Sequence, residues 1–287
     1  MPELPEVQTV VNHLRAALIG KVFDGAVLKD AKVSQKNLSA LIIGQKILDI
    51  ERLGKMIVFK FKSDKFLVVH LKMTGQLIYV DSKHKNIEGG GHPIKLKDFV
   101  ADQENKFTRV VLNLKGGGKL LFHDVRKFGW VRFMNDKDLS KLSLKLGLDP
   151  IIGDFSYVNF KKLFTRSRGV KIKQWLLNQS LISGLGNIYV DESLFASGVS
   201  PLRPAGTLTE AEFKKLHKAI KLKLEQAIKH GGTSFNTFMG LSGERGAFAD
   251  RLRVYGRGNK KCLKCDNVLT KIKLAGRGTV FCSHCQK

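Results

Sequence analysis

The chain has 287 residues, a length at which roughly two domains are expected. Lysine and arginine number 50 against 25 aspartates and glutamates, giving a net charge of +25. That excess is spread along a chain that is 43% apolar, so it points to a polyanionic partner, nucleic acid first, rather than to a basic tail on a neutral fold. No apolar run approaches ~18 residues, so no membrane span is expected. Glu3, Glu6, His13 and Arg15 interrupt the first segment, so no signal peptide is read, and a cytoplasmic, nucleoid-associated location is expected.

The chain opens Met1-Pro2-Glu3-Leu4-Pro5-Glu6. One reading is a helix start, with Pro5 at the first helical position and Glu3 and Glu6 near the positive end of the dipole. The other is chemical. Removal of Met1 leaves Pro2 as a terminal secondary amine, able to attack a carbon at the aldehyde oxidation level and form an iminium, with Glu3 beside it to give or take protons. Val7, Val10, Val11, Leu14 and Leu18 then recur at helical spacing up to Gly20.

From Val22 to about Met134 the pattern is that of short strands: 56–62, 66–71, 76–80, 108–114, 119–123 and 130–134, with a turn at Gly116-Gly117-Gly118. Such strands predict a β-sandwich or barrel. Residues 82–106 are polar and glycine-rich and read as a surface loop; residues 135–153 read as a linker. Beyond it the period changes to 3.6, with helices over 157–165, 173–178, from Asn187 to about Ala196, and from Thr209 to His230, the last opened by a Thr209/Glu212 capping box. Residues 233–250 read as a mobile loop. The expected class is α+β: a β-sandwich or barrel within 1–134, a linker over 135–153, a helical segment over 154–257 and a separate C-terminal segment over 258–287.

All four cysteines lie in the last segment, as Cys262-x2-Cys265 and Cys282-x2-Cys285 around residues 266–281. Two such knuckles supply four thiolates for one structural Zn2+; a redox pair is the competing reading. The intervening residues predict a hairpin, 268–273 and 279–281, with Arg277 at its glycine-flanked tip, suited to phosphate contact or simply solvated. His284 is read as a bystander. Gly184-Leu185-Gly186-Asn187 opens a helix whose free N–H groups suit phosphate, or else it is an ordinary helical hairpin turn. Met73, in His70-Leu71-Lys72-Met73-Thr74-Gly75, and Phe128, in Arg126-Lys127-Phe128-Gly129, sit in glycine-bounded turns. They are candidate wedges into a base stack, with Arg126 able to replace lost pairing; each taken singly is also compatible with a core position.

Together these residues resemble the bacterial formamidopyrimidine-DNA glycosylase family over essentially the whole chain. The resemblance rests on PELPEV at the start, RLGK at 52–55, HLKMTG at 70–75, DVRKFG at 124–129, GLGNIYVDESLFASG at 184–198 and the finger. Endonuclease VIII, the sister family, typically opens PEGPE and fits less well. The resemblance implies an N-terminal β-sandwich catalytic domain over 1–134 flanked by the first helix, a helix–two-turns–helix DNA-binding domain over 154–257 and a four-cysteine zinc β-hairpin over 258–287. It implies a bifunctional DNA glycosylase that excises oxidised purines and then cleaves the abasic site by β,δ-elimination. It implies Pro2 as nucleophile at C1′, Glu3 as proton donor to the opening deoxyribose, and Lys55 and Arg277 supporting catalysis from phosphates. His70, Met73, Arg126, Phe128, Lys173 and Asn187 contact the DNA, Arg126 facing the orphaned cytosine. Zinc is held by Cys262, Cys265, Cys282 and Cys285 and takes no part in bond breaking. The partner implied is damaged duplex DNA, bound by a monomer in a cleft between the β-rich and helical domains. A non-catalytic zinc-ribbon nucleic-acid binder is the alternative. Three departures stand out: Gln8 where Glu is common, Asn178 where Asp is common, and Lys106-Phe107-Thr108-Arg109 where Lys-His-x-His is frequent.

Overall fold

The computed structural model describes residues 1–83, 87–91, 103–165, 169–233, 239–240 and 248–287. They form two compact units, one of residues 1–144 with 230–249, the other of 145–229 with 250–287.

In the first unit, helix α1 (Leu4–Leu18) starts at Glu3 with Pro5 in its first turn. Leu4, Val7, Val10, Leu14 and Leu18 are fully enclosed, each contributing about 2 kcal/mol by leaving water. The helix packs against two antiparallel sheets that share one core. The larger sheet contains β1 (Phe23–Leu28), β5 (Gly75–Val80), β6 (Ile87–Gly91), β7 (Thr108–Leu114), β8 (Lys119–Asp124) and β10 (Met239–Gly240), in the order β1-β7-β8-β5-β6-β10. The smaller contains β2 (Asp49–Leu53), β3 (Met56–Lys60), β4 (Lys65–His70) and β9 (Trp130–Asn135), in the order β2-β3-β4-β9. In β5 the alternation is visible: Leu77 and Tyr79 join the shared core, while Ile78 and Val80 are buried on the opposite face with Val111 and Leu121. Two short helices complete the unit, α2 (Leu38–Ile42) and α3 (Asp136–Ser143).

Three expectations are corrected here. The segment 82–106 is not all loop: Ile87–Gly91 pairs with β5, because a ladder needs only backbone groups and three glycines do not prevent one. The segment 135–153 is not all linker: Asn135 caps α3 by accepting from the Asp138 N–H at 2.9 Å, and Asp136 and Asp138 suit its N-terminus. Residues 230–249, expected in the helical domain and partly in a mobile loop, belong to the first unit. Thr233 is bonded to Glu6 on α1, and Met239-Gly240 pairs with Gly90-Gly91. The rest of 84–102 and of 234–247 lies outside the described residues.

The second unit holds α4 (Tyr157–Lys162), α5 (Ile172–Leu176), α6 (Asn187–Ser197) and α7 (Glu210–Lys229). Its core is aromatic: Phe160 lies 5.0 Å from Phe213 and 5.9 Å from Trp175. The capping box of α7 forms as expected, Thr209 N–H donating to Glu212 at 2.7 Å and the Glu212 N–H returning to Thr209 Oγ1 at 3.3 Å. Strands β11 (Thr270–Leu274) and β12 (Arg277–Phe281) make the C-terminal hairpin.

Candidate active site and nucleic-acid interface

Pro2 and Glu3 are buried at the start of α1, and Glu3 is 5% exposed. Met1 is exposed and acylates the Pro2 nitrogen, so the free amine exists only once Met1 is removed. Glu6, read from the sequence as a dipole partner, does more. One carboxylate oxygen accepts the Glu3 N–H at 2.9 Å; the other accepts the Thr233 N–H at 2.8 Å and its hydroxyl at 2.9 Å. The chain start is thereby fixed to the segment that follows α7. PELPE holds a second glutamate, but nothing local reveals a partner at Thr233.

Lys55 sits on the turn between β2 and β3, half-buried. Arg52 donates from Nη1 to the Gly54 carbonyl at 3.1 Å and from Nε to Gln8 Oε1 at 2.9 Å, tying this turn to α1. Where the family often has Glu at position 8, the bond is here made by a neutral amide. His70 ends β4, and its Nδ1 accepts the Lys72 N–H at 3.1 Å, which leaves the proton of the neutral ring on Nε2. Burial, with Lys72 and Lys55 adding positive charge nearby, pushes its pKa down to about 3. His70 therefore offers a donor, not a cation, at neutral pH.

The proposed wedges lie on two neighbouring turns of the first unit. Met73, on the β4–β5 turn, is 37% exposed; Phe128, on the β8–β9 turn, is 54% exposed. An apolar ring left this open in water is not a core residue. The Arg126 guanidinium stacks over the Phe128 ring, 4.6 Å from its centroid. Gly129 is required by close approach: a Cβ there would meet Phe122 Cζ at 2.7 Å and the His70 carbonyl at 2.9 Å.

In the second unit, Gly186 caps α6 and Asn187 is its first residue. Asn187 Nδ2 donates to the Gly278 carbonyl of the hairpin at 2.9 Å. Lys173, expected to hold a phosphate, is placed differently. It is 1% exposed, its Nζ 2.6 Å from Asp191 and 3.0 Å from the same Gly278 carbonyl. Its ammonium is consumed inside the unit, and what it grips is the finger. Burial pushes the Asp191 pKa up to about 6, although Lys173 opposes this. Glu192, next to it and fully buried, accepts the N–H groups of Arg253, Val254 and Tyr255 at 2.8–3.0 Å. Both carboxylates stand inside NIYVDES, part of the motif that carries the resemblance, but no role for either is read from the sequence.

The hairpin turn is Ala275-Gly276, both with positive φ (47° and 76°), and Leu274 faces Arg277. Arg277 is thus the first exposed residue of β12 rather than the tip expected, because a two-residue turn of this kind needs left-handed backbone at both positions. The four cysteine sulfurs all lie within 4.8 Å of one another, with no disulfide, and the Cys285 N–H points at Cys282 Sγ. Four convergent thiols around a shared centre suit a tetrahedral ion with Zn–S bonds of ~2.3 Å. Cys262 and Cys282 are fully buried in a small cluster with Val254, Leu269 and Val280. One structural zinc belongs here.

A zinc hairpin clamped to a helical unit, in one chain with a β-sandwich that leaves Met73 and Phe128 exposed, is the architecture of a zinc-finger DNA glycosylase/lyase. The model of the formamidopyrimidine-DNA glycosylase N-terminal domain matches residues 1–131, that of the same family's H2TH domain residues 146–239, and that of the zinc finger found in FPG and IleRS residues 259–287. The chain belongs to the formamidopyrimidine-DNA glycosylase family. It is 38% identical to the formamidopyrimidine-DNA glycosylase of Brevibacillus brevis, over 100% of this chain and 99% of that protein. It is 36% identical to that of Desulfitobacterium hafniense over the full length of both. Among solved structures, the Lactococcus lactis Fpg complex with DNA containing an abasic site superimposes with a TM-score of 0.84 at 32% identity, covering 99% of each chain. The Thermus thermophilus protein gives 0.82 at 34% identity, covering 99% of this chain and 98% of that one. No described helix is long and apolar enough to cross a membrane.

Proposed function

We propose that this enzyme excises oxidised purines from duplex DNA and cleaves the abasic site that results. The observation that carries the reading is the two-sided bond of Glu6, which fixes the Pro2-Glu3 start of α1 against Thr233. A frayed terminus has no need of a buried carboxylate to hold it. With Met1 removed, the Pro2 nitrogen attacks C1′ and the glycosidic bond breaks, the base leaving with a proton. Glu3 protonates the ring oxygen as the deoxyribose opens. The resulting iminium acts as an electron sink: loss of a C2′ proton expels the 3′ phosphate, and a second elimination expels the 5′ phosphate. Water then releases the proline. The target base must be everted first, since C1′ is shielded in a duplex. Met73, Arg126 and Phe128 fill the gap. Lys55, His70, Asn187 and Arg277 grip the backbone, while Lys173 serves through the hairpin it holds. Zinc fixes that hairpin and no bond is broken at it.

Borohydride reduction during incubation with an abasic-site duplex tests this. The expected result is a covalent adduct whose peptide map places the sugar on Pro2. No adduct, or an adduct elsewhere, overturns the reading. A zinc-ribbon binder without catalysis would bind the duplex and trap nothing.

A further inference from the structure

One buried carboxylate lies outside the chemistry above. Asp124 closes β8 and is fully enclosed. Its Oδ1 accepts the Thr74 hydroxyl and the Arg126 N–H, the latter at 3.1 Å; its Oδ2 accepts the Gly129 N–H at 2.7 Å. Thr74 Oγ1 also accepts the Arg126 N–H at 3.0 Å. Thr74 follows Met73, and Arg126 and Gly129 bracket the turn that carries Phe128. The carboxylate therefore bonds both wedge-bearing turns at once. No cation pairs with it among the described residues, so these neutral donors are what keep it from being a bare buried charge. Each turn also contains a non-glycine residue with positive φ, Lys72 at 50° and Lys127 at 57°. Isolated turns in that conformation relax unless their surroundings hold them.

We propose that Asp124 is a positioning residue for base eversion: with Thr74 it locks the Met73 turn to the Arg126–Phe128 turn, so that the three side chains enter the helix as one rigid unit. This rests on the glycosylase reading given above. The consequence is specific to substrates that must be opened. A duplex with an oxidised purine opposite cytosine needs the wedge. An abasic site in a single strand has no base to evert and no orphaned partner to fill, so its cleavage needs only the Pro2 end of the unit.

The test compares single-turnover rates on these two substrates for the wild type, Asp124→Asn and Thr74→Val. Asparagine keeps the shape but puts an NH2 donor group where one of the two acceptor oxygens stood; valine removes the hydroxyl strap and leaves Asp124 in place. The ratio of duplex excision to single-strand cleavage should fall at least about tenfold in each variant, the scale on which small misplacements of positioned groups act. A 2-aminopurine placed opposite the lesion should brighten less on binding than it does with the wild type. Parallel loss on both substrates would show a merely structural aspartate, and an unchanged ratio would show no role; either overturns the inference. A wild type inactive on both substrates would instead sink the glycosylase reading, and this inference with it.

Discussion

Asp124 in the first unit and Asp191 in the second are both enclosed carboxylates at which a turn proposed to touch DNA is anchored, but their electrostatics differ. Asp124 is satisfied by neutral donors, two of them backbone N–H groups. Asp191 faces the ammonium of Lys173 at 2.6 Å and the Val280 N–H at 3.2 Å, both side chains of the ion pair being 1% exposed. Backbone donors hold a turn through geometry that the fold has already fixed. An ion pair in a dry site holds it through two charges, each costly when its partner is lost. The Met73 and Phe128 turns are thus built for rigidity, whereas the finger anchor depends on charge state.

The largest expected effect is on the finger side. Structural zinc is worth about 10–16 kcal/mol in isolated finger peptides, so its removal should unfold the hairpin and release the Gly278 carbonyl, next to Arg277, from Asn187 and Lys173. Metal analysis should return about one equivalent for a single four-thiolate site. After chelation, hydrogen exchange should show loss of protection at β11 and β12, with the wedge-turn amides unaffected. Protection of β11 and β12 that survives chelation would mean that Lys173 and Asn187, not zinc, carry the hairpin.

Next in size is the ion pair itself. Asp191→Asn leaves the Lys173 charge buried without its partner and should cost about 3–5 kcal/mol, read by urea unfolding. Lys173→Met should cost less, because Asp191, already pushed up by burial, can shed its charge by taking a proton. The double variant Asp191→Asn/Lys173→Met should recover much of the loss, since it leaves no unpaired charge buried. Asp124→Asn should cost about 1–3 kcal/mol, the range for an unmatched buried hydrogen-bonding group. If Asp124→Asn proved the more costly of the two aspartate changes, the contrast drawn above would be reversed.

The sequence carried the outline of both units and little of the long-range bonding inside each. The apolar stripe of α1, the strands expected at 56–62 and 119–123 and the Cys-x2-Cys knuckles are local patterns, and each forms there, the strands with ends at 56–60 and 119–124. Strand β2 (DIERL) went unread because its two buried residues, Ile50 and Arg52, give too short an alternation, one of them charged. Strand β6 (IEGGG) has a composition that mimics a loop. Within each unit the bonds that place the candidate residues join positions far apart in the chain, Glu6 to Thr233 in the first and Lys173 to Gly278 in the second, and one sequence contains no period or spacing that reports them. Resemblance marked Lys173 as functional; only its burial shows that it acts on the hairpin.

The smallest expected effects are in pH dependence, and the two units should differ in sign. Burial, with Lys72 and Lys55 nearby, lowers the His70 pKa from 6.5 to about 3. Between those values the unfolded chain binds more protons than the folded one, so His70 lowers stability as pH falls through that window. Asp191 is raised from 3.8 to about 6, chiefly by burial. Between those values the folded state binds more protons, so its contribution is full below the lower value and is lost as pH rises toward 6. His70→Gln should therefore gain on the wild type as the solution is acidified below 6.5. Asp191→Asn should lose ground to the wild type on acidification from 6 to 4. Urea unfolding of the three proteins at several pH values gives both differences, with every other titrating group cancelling. Slopes of the same sign would mean that one of the two groups is not in the environment described. Because the His70 ring is neutral at pH 7, DNA affinity should also lose no phosphate-neutralising charge in His70→Gln: the salt dependence of binding should keep its slope, whereas Arg277→Ala should reduce the slope by about one.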